Sequence, residues 1–189
     1  MTTEAKKGRL LLVSGPSGSG KTTVIDGLLK DPRFRLSISS TTRPMRPGEV
    51  EGEEYNFLSV EQFEEAIAAG GFLEWAKVYG NYYGTPRAPI EEAKARGEAV
   101  LLNLDTQGAA TLRKNGVRGL YVFLLPPSLE VLEERLRARA TDSEETILKR
   151  LARAEAEMDE ARHYDAQVVN DDLDRAVGEI RALALADDD

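Results

Sequence analysis

The segment Leu10-Leu11-Leu12-Val13-Ser14-Gly15-Pro16-Ser17-Gly18-Ser19-Gly20-Lys21-Thr22 couples an unbroken apolar run to a glycine-rich turn ending in a lysine and a threonine. A short run with no polar alternation suits a strand buried on both faces of a parallel sheet. The eight residues from Gly15 to Thr22 fit the pattern G-x-x-x-x-G-K-S/T, placed between that strand and the start of a helix. Glycines at these spacings let successive backbone N–H groups turn inward on phosphate oxygens, and the following helix presents its positive end. The pattern implies a nucleoside triphosphate held by Gly15, Pro16, Ser17, Gly18, Ser19, Gly20, Lys21, Thr22 and Thr23. Lys21 is a point charge for the β and γ phosphates, and the Thr22 hydroxyl is a suitable Mg²⁺ ligand. A phosphate loop alone does not distinguish a hydrolase, a switch or a kinase.

Outward from this segment the apolar runs recur. Ala99 to Leu104, Leu120 to Leu125 (stopped by Pro126-Pro127) and Ala166 to Val169 read as further buried strands. Between them, Leu129, Leu132 and Leu136 share a helical face. So do Ile147, Leu148, Leu151, Ala154 and Met158, and then Leu173, Val177, Ile180 and Leu183. Strands alternating with helices predict an α/β fold: a parallel-sheet P-loop NTPase core with helices on both faces. One region breaks the rhythm. From Ser40 to Thr85 the chain is rich in Gly, Tyr, Arg and Glu, and it reads as short strands around a helix over Val60 to Ala69. Ser59 and Gln62 supply a capping box at the start of that helix. Arg137 to Ser143 reads as a second, short polar insertion between two amphipathic helices, and Asp187-Asp188-Asp189 as a frayed end.

The net charge of −8 argues against non-specific binding to nucleic acid or to an anionic membrane. No apolar run approaches the roughly 20 residues of a membrane span. Met1 to Lys7 carries two lysines but no apolar block, so no secretory leader is expected. The absence of cysteine removes disulfides, thiolate metal sites and Cys nucleophiles. A cytoplasmic location follows as the simplest expectation. Nothing in the pattern selects between a monomer and a homo-oligomer.

The acceptor has to be read from the irregular region. Ser39-Ser40-Thr41-Thr42-Arg43-Pro44-Met45-Arg46-Pro47-Gly48 sets two arginines three residues apart on a proline-rich backbone, with Tyr55, Tyr82 and Tyr83 further on. Arginine forks match phosphate oxygens bidentately, and tyrosine hydroxyls can complete the shell. Taken alone, however, two arginines also suit a solvated face, and Glu74 in Phe72-Leu73-Glu74-Trp75 suits an exposed strand position.

The run from Ser39 through Tyr55-Asn56-Phe57 resembles the GMP-binding segment of guanylate kinases. Phe72 to Ala76, Gly80 to Thr85, Leu104 to Gly108, Pro126 to Ser128 and Val168 to Asp172 extend the likeness over nearly the whole chain. The resemblance implies ATP and GMP or dGMP as substrates, Mg²⁺ as cofactor, and transfer of the γ-phosphoryl group. It implies that Arg43, Arg46, Tyr55 and Tyr83 hold the GMP phosphate, that Ser39, Glu74 and Thr85 read guanine, and that Asp105 contributes to the same site. Guanine offers N1–H and an exocyclic NH₂ side by side, two donors that one carboxylate can accept, whereas adenine would face Glu74 with a lone pair. Arg135, Arg139 and Arg150 correspond to arginines that close over the phosphates, with Lys21 and Arg43 as further catalytic groups. Arg137 and Asn170 correspond to positions near adenine.

The implied organisation is one domain over 1–189. Its core covers about 8–38, 86–134 and 145–189, with a GMP-binding insertion at 39–85 and a helical lid at 135–144. The likeness breaks at Asn103, where the family often carries an acidic residue. The lone histidine, His163, reads as a surface residue at a helix end, since an acceptor phosphate is already ionised near neutral pH and needs no general base. Two alternatives stay open at this point: a guanylate-kinase-like binding module without chemistry, and a related kinase of another small phosphorylated acceptor.

Overall fold

The computed structural model describes residues 8–138 and 144–186. The first half of the chain forms β1 (Leu10–Ser14), α1 (Lys21–Leu29), β2 (Phe34–Leu36), β3 (Ser40–Thr41), β4 (Asn56–Phe57), α2 (Val60–Ala68), β5 (Phe72–Val78) and β6 (Asn81–Pro86). Then follow α3 (Arg87–Ala95), β7 (Ala99–Asn103), α4 (Thr106–Lys114), β8 (Leu120–Leu125), α5 (Leu129–Ala138) and α6 (Glu144–Asp159). A 3₁₀ turn (Glu160–His163), β9 (Ala166–Val169) and α7 (Leu173–Leu185) close the described chain.

Five strands form a sheet of order β2-β7-β1-β8-β9 in which every pairing is parallel. Alternate residues of these strands serve opposite layers. Leu11, Val13, Leu101, Val122, Leu124 and Val168 pack with α1 and α7. Leu10, Leu12, Val100, Leu102 and Tyr121 pack with Ile90 and Ala93 of α3 and with Ala109 and Leu112 of α4. Both faces are therefore covered, which is why these strands carry no polar alternation. A third, smaller cluster joins α5 to α6 through Leu132, Leu136, Ile147 and Ala154.

Two details differ from expectation. β2 is a three-residue edge strand that the apolar pattern does not announce, because only Phe34 is buried. β7 ends at Asn103, one residue before the expected Leu104, since the chain must already turn into Asp105, the N-cap of α4.

The irregular region builds its own four-stranded sheet of order β4-β3-β6-β5. Both bonds of the capping box at the start of α2 are made: Gln62 N–H to Ser59 Oγ (3.1 Å) and Ser59 N–H to Gln62 Oε1 (2.9 Å). Phe63 is fully buried, with its ring stacked on Phe72 (4.3 Å) and on Tyr82 (5.2 Å). These rings fix α2 against the β5–β6 hairpin. Among the described residues, no helix is long and apolar enough to cross a membrane.

Candidate active site

The turn after β1 curls over the start of α1 with Gly20 at φ 93°, a left-handed conformation that glycine adopts without strain. A Cβ at Gly20 would lie 2.3 Å from Asn170 Nδ2. That contact reflects a clamp. Asn170, buried at the end of β9, donates Nδ2–H to the Ser19 carbonyl at 2.8 Å. Arg135 of α5 donates to the same carbonyl (3.4 Å) and to the carbonyl of Asn170 (3.1 Å). Gly18 is backed by Leu132 and Leu136, so α5 supports the loop by packing as well as by hydrogen bonds. Lys21 Nζ donates to the carbonyls of Gly15 (2.5 Å) and Pro16 (3.0 Å), which folds its charge back over the loop. Thr22 and Thr23 are exposed on the first turn of α1, and that turn carries no acidic residue to offset the positive helix end. The buried Ser19 hydroxyl has no hydrogen-bond partner among the described residues.

A cleft of about 380 Å³ opens beside the loop, lined by Gly15, Ser17, Lys21, Asn103, Asp105 and Arg150 among others. Asp105 accepts the Gly108 N–H at 2.8 Å as N-cap of α4, and its charge is felt at Glu74. The acceptor-side residues lie in the smaller sheet. Glu74 and Thr85 are paired across β5 and β6, and Thr85 Oγ donates to Glu74 Oε1 at 2.6 Å. Burial raises the pKa of the Glu74 carboxyl above the ordinary range. The bond from Thr85 opposes the rise, and the charge of Asp105 adds to it.

Arg43 is held from several sides. It makes two bonds to Glu49 (2.7 and 3.0 Å) and one to the Pro44 carbonyl (2.7 Å). It also lies 5.5 Å from the ring centroid of Tyr55 and 5.7 Å from that of Phe57. Tyr55 in turn contacts Tyr83 edge-on at 6.0 Å. Glu49 also accepts the backbone N–H of Arg46 (2.7 Å), so one carboxylate orders both arginine positions, and its own pKa is lowered chiefly by Arg43. Glu49 was not singled out in the sequence reading. Its spacing from Arg46 (i+3) is the only local signal, and a carboxylate in a Gly/Glu-rich stretch looks solvated. Ser39 sits just before β3, where its carbonyl accepts the Asn56 N–H (2.9 Å).

Elsewhere the placement is less concentrated. Arg137 is engaged with Glu133 and Glu144 on the surface of α5 and α6. His163 is exposed at the end of the 3₁₀ turn. Arg139, together with the rest of 139–143 in the proposed lid and the Asp187–Asp189 end, lies outside the described residues.

Asp105 thus links the cleft of the phosphate loop, which it lines, to the Glu74–Thr85 pair, which feels its charge. The guanylate kinase family model matches residues 7–186. The chain belongs to the guanylate kinase family. Among relatives of the same name, it is 52% identical to the guanylate kinase of Symbiobacterium thermophilum, over 96% of this chain and 86% of that one. It is 50% identical to the guanylate kinase of Carboxydothermus hydrogenoformans, over 96% of this chain and 89% of that one. The crystal structure of guanylate kinase from Anaplasma phagocytophilum matches with a TM-score of 0.70 at 33% identity, covering 96% of this chain and 88% of that chain. Guanylate kinase family membership accords with the α/β core, and it spans both the phosphate loop and the smaller sheet.

Proposed function

We propose that this kinase transfers the γ-phosphoryl group of ATP to GMP or dGMP, giving ADP and GDP or dGDP, and so supplies guanine nucleotides. The observation that carries the reading is the half-buried Glu74–Thr85 pair, close enough to feel the charge of Asp105, a residue that lines the cleft beside the phosphate loop. A carboxylate there accepts the two adjacent donors of guanine. Adenine, cytosine and uracil leave it facing a lone pair or an unmatched edge, which costs several kcal/mol in a desolvated site.

In this reading residues 39–85 bind the acceptor, 135–144 form the lid, and the remainder is the core. Arg43 and Arg46, with Tyr55 and Tyr83, grip the acceptor phosphate, and Ser39, Thr85, Glu74 and Asp105 face its base. Lys21 swings from the carbonyls of Gly15 and Pro16 to the β and γ phosphates. Arg135, Arg139 and Arg150 close over the charge that spreads during transfer, and Asn170 keeps the loop in shape near the adenine side. The acceptor oxygen is already ionised, so positioning and charge neutralisation supply the catalysis. The helix start, free of carboxylates, suits phosphate, and the exposed Thr22 hydroxyl is an oxygen ligand open to a Mg²⁺ entering with ATP. That ion, held with phosphate oxygens and water, would add to the charge neutralisation. Closure of the lid over both nucleotides excludes water and suppresses idle ATP hydrolysis.

A non-catalytic binding module is disfavoured by the intact Gly20-Lys21-Thr22 segment. Another acceptor is disfavoured by Glu74 set beside Thr85. The deciding experiment offers GMP, dGMP, AMP, UMP and CMP with ATP and measures ADP formation. GMP and dGMP should exceed the others by at least about 10²-fold in kcat/KM. Equal use of AMP, or no GDP formed, ends the proposal.

A further inference from the structure

The pairing of Glu74 with Thr85 depends on an irregularity in the β5–β6 hairpin. Phe72 pairs with Pro86, but the next pair is Glu74 with Thr85, so Leu73 is an extra residue with no partner. A regular ladder would set Leu73 opposite Thr85 and Glu74 opposite Gly84. A one-residue slip turns side chains to the other face, so the carboxylate would no longer lie beside the threonine. Bulges near functional sites re-aim side chains in this way.

One residue holds the bulge. α2 ends in a glycine turn, with Gly70 at φ 68° and the N–H groups of Gly70 and Gly71 returning to the carbonyls of Ile67 and Ala66. The next three carbonyls, those of Gly70, Gly71 and Phe72, all go to Arg87. Its backbone N–H donates to Gly71 (2.8 Å), Nε donates to Gly70 (3.2 Å), and Nη2 donates to Phe72 (3.2 Å). Pro86, opposite Phe72, has no N–H to offer the Phe72 carbonyl, and the guanidinium supplies the donor that the ladder lacks. Arg87 is also the first residue of α3, whose Ile90 and Ala93 are buried in the core beside Leu73. The strand that carries Glu74 is thereby tied to the rigid sheet.

We infer that Arg87 is a positioning residue for base selection: by clamping the carbonyls around the Leu73 bulge it keeps Glu74 in register with Thr85. The inference rests on the reading of Glu74 as the guanine acceptor. Arg87 is itself exposed, and its backbone bond survives substitution, so Arg87→Ala should fold.

The test compares wild type, Arg87→Ala, Arg87→Lys and Glu74→Gln. Measured are kcat and KM for GMP, for inosine monophosphate (which lacks the exocyclic amine) and for ATP, together with Tm. Arg87→Ala should raise KM for GMP about tenfold and cut the preference for GMP over the inosine nucleotide several-fold. KM for ATP should stay within about twofold. Arg87→Lys, able to serve one carbonyl, should recover part of the preference. An unchanged preference in Arg87→Ala overturns the inference. So does a parallel loss toward GMP and ATP that tracks Tm, since that is loosening alone. Should Arg87→Ala prove insoluble, Arg87→Lys decides: a reduced preference supports the clamp and an unchanged one overturns it. If Glu74→Gln leaves the preference intact, the base-reading role of Glu74 fails first and removes the premise, a result distinct from failure of Arg87 alone.

Discussion

Replacing Glu74 by Gln keeps the shape of the side chain and removes its charge, and it should move activity and stability in opposite directions. The carboxylate now accepts from Thr85 at 2.6 Å and, in the proposed complex, from two guanine donors. Gln retains one acceptor and turns an NH₂ toward a donor. A bond to a charged acceptor is worth about 1.5–3 kcal/mol, and an opposed buried donor costs about 1–3 kcal/mol. A net loss of about 3–4 kcal/mol lowers kcat/KM for GMP by roughly 10²–10³-fold. KM for ATP should stay within about twofold.

Stability should respond the other way. Burial raises the folded-state pKa of Glu74 above its unfolded value. The stability it contributes is therefore greatest below the unfolded pKa and is lost as pH rises through the folded one. At neutral pH the ionised group weakens the fold, and Gln should raise Tm. The gap should close as pH falls through the raised folded-state pKa of Glu74 toward the ordinary carboxylate range. Over the same interval kcat/KM for GMP in the wild type should decline as Glu74 takes up a proton. The ionisation of GMP itself produces an acid limb too, so the informative feature is the part that Gln abolishes. Coupled ADP detection with varied GMP and ATP, plus thermal melts from pH 4.5 to 8, cover every term. A parallel decline toward both substrates, or a lower Tm at pH 7.5, refutes the reasoning.

Three further outcomes are expected. Lys21→Met should lower kcat by about 10²–10³-fold while calorimetric affinity for GMP holds within about twofold, because one charged stabiliser of the phosphates is removed; a kcat within tenfold of wild type counts against its role. Asn170→Ala should cost about 1–3 kcal/mol in urea unfolding and raise KM for ATP before that for GMP, since it leaves the Ser19 carbonyl without its Nδ2 donor. Ser59→Ala should cost about 1 kcal/mol by breaking the capping box of α2, with KM for ATP unchanged.

The legible parts of this chain are those where chemistry and structure are local. The run Leu10–Val13 is apolar because both of its faces are covered, and Gly15–Thr22 follows it at once, so strand, loop and helix could be read together. Pro126-Pro127 ended β8 where the pattern stopped. The capping box of α2 was visible because its two partners are three residues apart. Less legible were features made by distant partners. Asn170 meets Ser19 across 151 positions, and nothing in either neighbourhood announces the bond. β2 is short and half-exposed, so its burial pattern carries no period. α3 and α4 are polar helices whose buried pairs, Ile90 with Ala93 and Ala109 with Leu112, are too sparse to stand out. The Leu73 bulge is invisible as well, because Phe72 and Leu73 are both buried and either register reads alike. The resemblance to guanylate kinases supplied Glu74 and Thr85 as readers of one base. The bulge that makes them neighbours is a property of the folded hairpin.

The strand order has a consequence for how the protein comes into being. β1 is made first, yet its two partners are late: Leu10 aligns with Val100 and Leu11 with Leu120. Such distant pairings are slow to form, because a long loop must close before any contact rewards it. A growing chain released from the ribosome only as far as α3 would carry the complete Gly15–Thr22 sequence with no sheet to anchor it. Competence to hold a triphosphate should therefore switch on abruptly during synthesis, once β8, α5 and the Asn170 that clamps the loop have all emerged, instead of accumulating residue by residue.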